Sequence, residues 1–172
     1  MKTKHVKRVF DIFGQKTVET ARGILNALGK NTSGNLSDSL GYHLDVKDGK
    51  LDLRFLGAPY TRIVDEGIKG SKSSAKAPKS PFSYRTKQPP SGVIDKWVVR
   101  KGIKSARDER GRFIPRKSLV FLMARSIKLY GIKPTNFFSD AVNQGLKGLP
   151  REFARAYVLD AQEFIRTVTK EI

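Results

Sequence analysis

The sequence predicts an α+β fold in which a long N-terminal helix packs on a small antiparallel sheet, a hairpin at about 39–56. Apolar residues recur every three or four positions over the first 28 residues, which is a helical period. They then recur at every second position between residues 40 and 55, the period of a strand. With 172 residues, 38% of them hydrophobic, we expect one domain, 1–172, with a long basic insertion at about 68–117 and C-terminal helices.

The N-terminal helix is predicted by a single apolar stripe. Gly29 and the polar residues after it end the pattern, as glycine commonly does at a helix C-terminus. Gly14 and Gly23 count against the helix, because each costs about 1 kcal/mol relative to alanine. The stripe consists of Val6, Val9, Phe10, Phe13, Thr17, Ala21, Ile24, Leu25 and Leu28.

The hairpin is predicted by two alternating runs, Leu40–Val46 and Leu51–Phe55, joined by Asp48-Gly49. An Asp-Gly pair in this position is a strong hairpin signal, because glycine adopts the positive φ that a tight turn requires. We expect the polar face of the hairpin, which includes His43, to be exposed to solvent.

Short helices and one long loop are predicted for the rest of the chain. Tyr60–Gly67 has helical spacing, and 68–92 is rich in Ser, Lys and Pro, as loops are. Within that loop Ser71–Lys79 carries no apolar residue larger than Ala apart from Pro78, so we expect the core not to depend on it. Three helices are predicted after the loop, and the first is Val93–Val99. The second is capped by Ser118, and its apolar stripe is Leu119, Leu122, Met123, Ile127 and Tyr130. The third is Leu149–Val168, with an apolar side formed by Phe153, Tyr157, Ala161, Phe164, Ile165 and Val168.

The charge is concentrated in one region. The chain has a net charge of +18, and 69–128 contains 17 Lys and Arg against three acidic residues. Such a block favours an acidic partner, and Lys and Arg neutralise phosphates without regard to sequence. Phe82, Tyr84 and Phe113 could stack on bases, whereas the helical spacing of Trp97 favours the core. The candidate DNA-facing or partner-facing residues are Lys69, Lys72, Lys76, Lys79, Arg85, Lys87, Arg107, Arg110 and Arg112.

Catalytic signals are weak, and we predict no catalytic, cofactor-binding or metal-binding residue. The chain has no cysteine, and its two histidines, His5 and His43, are expected at the surface. The best nuclease candidate is Asp65-Glu66, with Asp52 and Lys69, since paired carboxylates can hold Mg²⁺. The alternative is that these carboxylates cap a turn or pair with nearby basic residues. No apolar run is long enough to span a bilayer and no apolar signal core follows the basic N-terminus, so we expect an intracellular protein without membrane contact.

Three segments together resemble a known family. They are Ser33–Leu36 with Ser39-Leu40 at the opening of the strand, Tyr60–Gly67 as a tyrosine-led short helix, and the Pro-x-x-Phe-Phe segment Ile132–Ala141. Their order and spacing resemble the tail-completion proteins of tailed bacteriophages, also called head–tail joining or neck proteins. The insertion at 68–117 is longer than in the compact members of that family.

The resemblance implies a structural role without catalysis or cofactor. Members of the family form rings that join the capsid portal or adaptor to the tail and continue the DNA channel. The implied partners are other copies of the chain, portal, adaptor and tail proteins, and genomic DNA, with the protein in the virion neck and in the host cytoplasm during assembly. The implied subunit or partner contacts are Tyr60, Asp65, Glu66, Phe137 and Phe138. The alternatives are a sequence-independent nucleic-acid-binding protein that uses the Lys69–Lys128 block, and the nuclease.

Overall fold

The computed structural model describes residues 3–47, 50–104 and 107–170. The chain divides into two compact units: unit 1 is formed by Met1–Ala58 and Phe137–Ile172, and unit 2 by Pro59–Asn136. The predicted α+β class is confirmed, with a long N-terminal helix and a two-stranded antiparallel sheet. The basic insertion predicted at 68–117 lies in unit 2, and the assignment of the whole chain to one domain stays a prediction.

The elements follow one another in a simple order. Unit 1 contributes α1, α2, β1 and β2 before unit 2 begins, and α6 and α7 after it ends. Unit 2 contains α3, α4 and α5. Their bounds are α1 Lys4–Ala27, α2 Asn35–Ser39, β1 Gly41–Lys47, β2 Lys50–Leu56, α3 Thr61–Glu66, α4 Ser91–Arg100, α5 Arg116–Tyr130, α6 Phe137–Leu146 and α7 Leu149–Lys170.

Helix α1 is the centre of unit 1, where it packs against the hairpin, α6 and α7. The predicted stripe supplies the buried face, since Val6, Ala21 and Leu25 are almost fully buried. Each large apolar side chain buried in this way stabilises the fold by about 1.5–3 kcal/mol. Leu28 lies beyond the end of the helix and is exposed, contrary to the prediction.

The two predicted strands form an antiparallel pair. The strands pair antiparallel from Gly41 opposite Leu56 to Lys47 opposite Lys50, and the predicted Asp48-Gly49 turn lies outside the described residues. Its apolar face packs on α1, with the rings of Phe55 and Phe13 edge to face at 6.2 Å. His43 is exposed on the other face, as predicted.

Gly14 has a packing role that explains its place inside a helix. A Cβ atom at this position would lie 2.6 Å from the ring of Tyr42, so only glycine lets β1 approach α1 this closely. The hydroxyl of Tyr42 donates a hydrogen bond of 2.8 Å to Asp11 one turn earlier. Gly23, in contrast, has no neighbour within 4 Å of where its Cβ would be.

The N-terminus of α1 is held by a buried carboxylate from the other end of the chain. Both oxygens of Asp160, on α7, accept backbone N–H groups, from His5 and Val6, at 2.9 Å each. Asp160 is fully buried, and Thr3 at the N-cap position makes no side-chain cap. The His5 ring lies 3.0 Å from a carboxylate oxygen of Glu163, in a pair that stays partly exposed at the surface, where His5 was predicted.

Several predicted elements differ in detail. The segment predicted to open the strand forms the short helix α2, and the Phe-Phe segment forms a separate helix, α6. Helix α5 begins at Arg116, directly after Pro115, two residues before the predicted cap at Ser118. Pro115 explains the earlier start, because a proline lacks the N–H that the first helical turn leaves unpaired anyway.

The core of unit 2 lies between α4 and α5, and the buried residues of α5 are not those of the predicted stripe. Ile94 and Val98 on α4 pack with Val120 and Ala124 on α5. This choice of face leaves Trp97 exposed to 43%, contrary to the core position predicted for it. Leu122 and Tyr130, predicted in the α5 stripe, are likewise exposed.

We expect Gly14→Ala to lower the free energy of unfolding by about 1–3 kcal/mol, because the Tyr42 ring must move away from the new methyl group. The matched control is Gly23→Ala on the same helix, which should raise the free energy of unfolding by about 0.5–1 kcal/mol. Thermal and urea unfolding of both variants measure the difference. Equal shifts in the two variants would contradict the close approach at Gly14.

We expect Asp160→Asn to lower the free energy of unfolding by about 1–3 kcal/mol, since the new amide group faces a backbone N–H that loses its acceptor. Glu163→Gln, one turn away and exposed, is the control and should change the free energy of unfolding by less than about 0.5 kcal/mol. Urea unfolding again provides the measurement. A large effect of the control alone would show that the His5–Glu163 pair, not Asp160, holds the helix end.

Candidate functional site

Two of the three family-like segments meet in unit 2. The N–H of Thr135 lies 3.2 Å from the carbonyl of Val64 and 3.0 Å from that of Asp65, and its hydroxyl donates to Val64 at 2.8 Å. The N–H of Asn136 also donates to the Asp65 carbonyl, at 3.0 Å. We name this contact between 64–67 and 131–136 the α3 joint. It ties the end of the tyrosine-led helix to the segment that precedes Phe137.

Two glycines make the α3 joint possible. Gly67 and Gly131 both have positive φ angles, 72° and 73°. Between them Ile68 and Ile132 exchange two backbone hydrogen bonds of 2.9 and 3.0 Å. A Cβ atom on Gly67 would lie 2.5 Å from the carbonyl oxygen of Ile132, so a side chain is excluded on steric grounds as well.

The predicted partner contacts have different surroundings. Tyr60 is exposed to 43%, and Glu66 is half-buried and paired with Arg62 at 3.0 Å. Asp65 is buried. In unit 1, Phe137 is fully buried, and Phe138 is half-buried with its ring 5.2 Å from that of Phe55. In the single chain, Tyr60 therefore offers the most exposed surface of the five.

The carboxylates of the nuclease hypothesis also differ in their surroundings. Asp65 is buried, Glu66 is paired with Arg62, and Asp52 on β2 is paired with Arg54. Within the described residues, the group of three side chains with metal-ligating atoms close together is His5, Asp160 and Glu163 in unit 1. Both oxygens of Asp160 already accept hydrogen bonds from α1, so this group has a structural role.

The predicted loop is irregular but firmly attached. The N–H of Ser71 donates to the carbonyl of Lys128 at 2.8 Å, and those of Lys72 and Ser73 donate to Leu129 at 3.0 and 3.2 Å. These donors satisfy carbonyl groups that the last turn of α5 leaves unpaired. Ala77 is buried to 99% of its surface. The expectation that the core does not depend on 71–79 is therefore wrong, because the main chain of this segment caps a helix.

The backbone of the same loop presents its basic side chains outward. Lys69 is half-buried and exchanges backbone hydrogen bonds of 2.9 Å with Phe82 and Tyr84. The Ser80 hydroxyl donates to the carbonyl of Gly67 at 2.7 Å and so holds the loop on the α3 joint. The exposed basic residues of the predicted set in this loop are Lys72, Lys76, Lys79, Arg85 and Lys87.

A second basic segment, 107–113, is organised around Asp108. Its carboxylate accepts the N–H groups of Arg110 and Arg112 at 3.0 and 2.8 Å and pairs with the Arg112 guanidinium at 2.9 Å. The hydrogen bond from the Arg112 backbone, above all, holds the pKa of Asp108 below its usual range. The Arg107 guanidinium lies 4.4 Å from the centre of the Phe113 ring, which is exposed to 66%.

The arrangement in unit 2 can bind a polyanion. The unit contains 19 basic and five acidic residues, whereas unit 1 contains 15 and 11. Three of the five acidic residues, Glu66, Asp95 and Asp108, are paired with arginines. Exposed aromatic rings at Trp97 and Phe113 add surfaces on which bases can stack.

No protein-family model, curated protein or solved structure matches the chain. None of the helices in the described parts of the chain has the length and apolar composition that crossing a membrane requires.

We expect the ordered form of 107–113 to be lost in acid. Because the folded pKa of Asp108 is depressed, its contribution is fully present above the ordinary aspartate pKa of about 3.9 and disappears as the pH falls through the lower folded value. Amide hydrogen exchange at Arg110 and Arg112 measures this loss. At neutral pH Asp108→Asn should expose the same amides, and Glu109→Gln, an exposed neighbour, should leave them protected.

Proposed function

We propose that this chain is a structural virion protein of a tailed bacteriophage that forms a ring at the head–tail junction. In that role it joins the portal or adaptor to the tail and continues the DNA channel. The observation that carries the proposal is the α3 joint. Tyr60–Gly67 and Ile132–Asn136, two segments that resemble the neck family, are far apart in sequence and hydrogen-bonded to each other.

The α3 joint supports the proposal because it explains why the two motifs occur together. The carbonyls of Val64 and Asp65 at the end of α3 need donors, and Thr135 and Asn136 supply them. Gly67, which follows the end of α3, and Gly131, which precedes Thr135, allow the two segments to approach each other closely. The motifs therefore form one structural feature, and a chance resemblance of two separate short segments would not require such a contact.

The charge distribution fits a protein that contacts DNA without reading its sequence. Lys72, Lys76 and Lys79 are exposed on a loop whose backbone is fixed to α5. A cationic side chain on a fixed backbone loses less entropy when it meets a phosphate than one on a flexible tail. A channel through which a genome passes needs contacts of this sequence-independent kind.

The second candidate function is a free nucleic-acid-binding protein. Exposed Trp97 and Phe113 in the unit with the larger basic excess favour it, since stacking on aromatic rings together with phosphate contacts is typical of single-strand binding.

Light scattering across a salt series separates the two functions. A neck protein should assemble into a closed oligomer of more than two copies, with little change as salt rises. A nucleic-acid-binding protein should stay small and should bind duplex or single-stranded DNA with an affinity that falls steeply as salt rises. The second result would contradict the ring and would support the alternative.

For the basic loop we expect that replacing Lys72, Lys76 and Lys79 by glutamine weakens any DNA binding and reduces the slope of log affinity against log salt by up to about 2.7 for duplex DNA. The matched control removes three exposed charges from unit 1, at Lys7, Lys16 and Lys30, and should leave the slope nearly unchanged. Fluorescence anisotropy with labelled DNA measures both. Equal losses would show that net charge, and not this loop, governs the binding.

A further inference from the structure

Helix α7 carries an apolar surface that the fold of the single chain leaves exposed. Six residues form it: Ala154, Tyr157, Val158, Ala161, Phe164 and Ile165. We name them the α7 stripe. They repeat every seven residues, as Ala154 and Ala161, Tyr157 and Phe164, and Val158 and Ile165, which is the pattern of a helix that pairs with another helix.

Four residues of the α7 stripe belong to the side of the last helix that was predicted as apolar, and the structure shows that the fold buries a different side: the four are Tyr157, Ala161, Phe164 and Ile165. Helix α7 contacts α1, and its buried residues are Ala156 and Asp160. Tyr157, Phe164 and Ile165 remain 52%, 47% and 62% exposed. The largest exposed apolar patch of a protein is often a functional surface.

The area of the α7 stripe suits contact with another protein surface. Its large side chains, each about half exposed, offer on the order of 500 Å² of apolar surface. A standard interface buries about 800 Å² per partner, a little over half of it apolar. The α7 stripe could thus supply the apolar part of one such interface.

A second copy of this chain can meet the α7 stripe in spite of the net charge. Two copies with a net charge of +18 repel each other wherever their basic surfaces meet. The six residues of the α7 stripe are uncharged, and Arg155 lies at its edge, in the wall of a depression beside Ala154 and Val158. The long arginine side chain can keep its guanidinium in water at the rim of such a contact.

The sizes of the side chains also fit self-pairing. In an antiparallel pair of helices the small residues Ala154 and Ala161 would lie opposite Phe164 and Tyr157 of the second copy. A shallow depression of about 420 Å³, with room for an aromatic ring, borders the stripe and is lined by Ala154 and Val158 together with Arg155, Leu159 and Gln162. In a parallel pair the small residues would face each other and leave gaps.

We propose that the α7 stripe is the contact between two copies of this chain, which pair α7 against α7 in antiparallel orientation. This goes beyond the proposed ring and does not depend on it. A two-fold contact is complete with two copies, whereas a ring needs head-to-tail contacts between different surfaces. The pairing therefore doubles the number of chains in the assembly. A single chain becomes a dimer, and a ring becomes a pair of rings.

The first test compares glutamate substitutions at two phenylalanines. Phe164 and Phe121 are 47% and 49% exposed, but Phe121 lies on α5 in unit 2. Phe164→Glu should weaken the pairing at least about 30-fold and halve the mass, because it buries an unpaired charge in the contact. Phe121→Glu should leave the mass unchanged, and circular dichroism should show both variants folded.

The outcomes separate this proposal from the proposed function. A ring whose mass does not halve in Phe164→Glu would overturn the pairing and leave the ring. A dimer that becomes a monomer would support the pairing and count against the ring. If the wild-type protein is a monomer at every concentration, the pairing is overturned. The same conclusion holds if that monomer binds anionic vesicles through α7.

A second test fixes the orientation, and the absence of native cysteine makes it simple. Chains with Ala154→Cys are mixed with chains carrying Ile165→Cys and treated with a short bifunctional maleimide. Antiparallel pairing should give several-fold more cross-linked dimer in the mixture than in either variant alone. Higher yields in the separate variants would indicate parallel pairing and overturn the proposed orientation.

Discussion

The hydrogen bonds between Asp160 and the first turn of α1 connect the two ends of the chain, and unit 1 depends on them. A helix of 24 residues begins with N–H groups that need acceptors, and the side chain of its own N-cap residue supplies none. Asp160 supplies both oxygens from α7 and brings a negative charge to the positive end of the helix. A buried carboxylate is tolerated there because both its oxygens are hydrogen-bonded. The same contact decides which side of α7 faces α1, and therefore leaves the α7 stripe exposed.

The regular elements could be predicted because local pattern determines them. The stripe of α1, the alternation of β1 and β2, and the helix-ending Gly29 each act within a few residues. The places where prediction failed depend on partners far along the chain. Trp97 has helical spacing with Val93 and Ile94, but α5 packs against Ile94 and Val98, and no local pattern specifies this choice.

The candidate site was predicted less completely than the fold. The two segments of the α3 joint were recognised by resemblance, but nothing in their sequences showed that they touch. Asp160 left no such signal, because the apolar pattern of the last helix pointed to another side, and only the structure shows that Ala156 and Asp160 face α1. The 71–79 segment left none: its role lies in backbone N–H groups, which every residue except proline has.

Unit 1 is discontinuous in sequence, and this affects the order in which the protein can form during synthesis. Helix α1 and the hairpin leave the ribosome first, but α6 and α7 follow only after the 78 residues of unit 2. Until then the hairpin can cover only the part of the apolar face of α1 that it contacts. Unit 2 is continuous and can close its α4–α5 core while unit 1 is still incomplete. In a nascent chain of this protein, unit 2 can thus be folded while unit 1 still exposes apolar surface. Cellular chaperones bind apolar surface that is exposed at this stage.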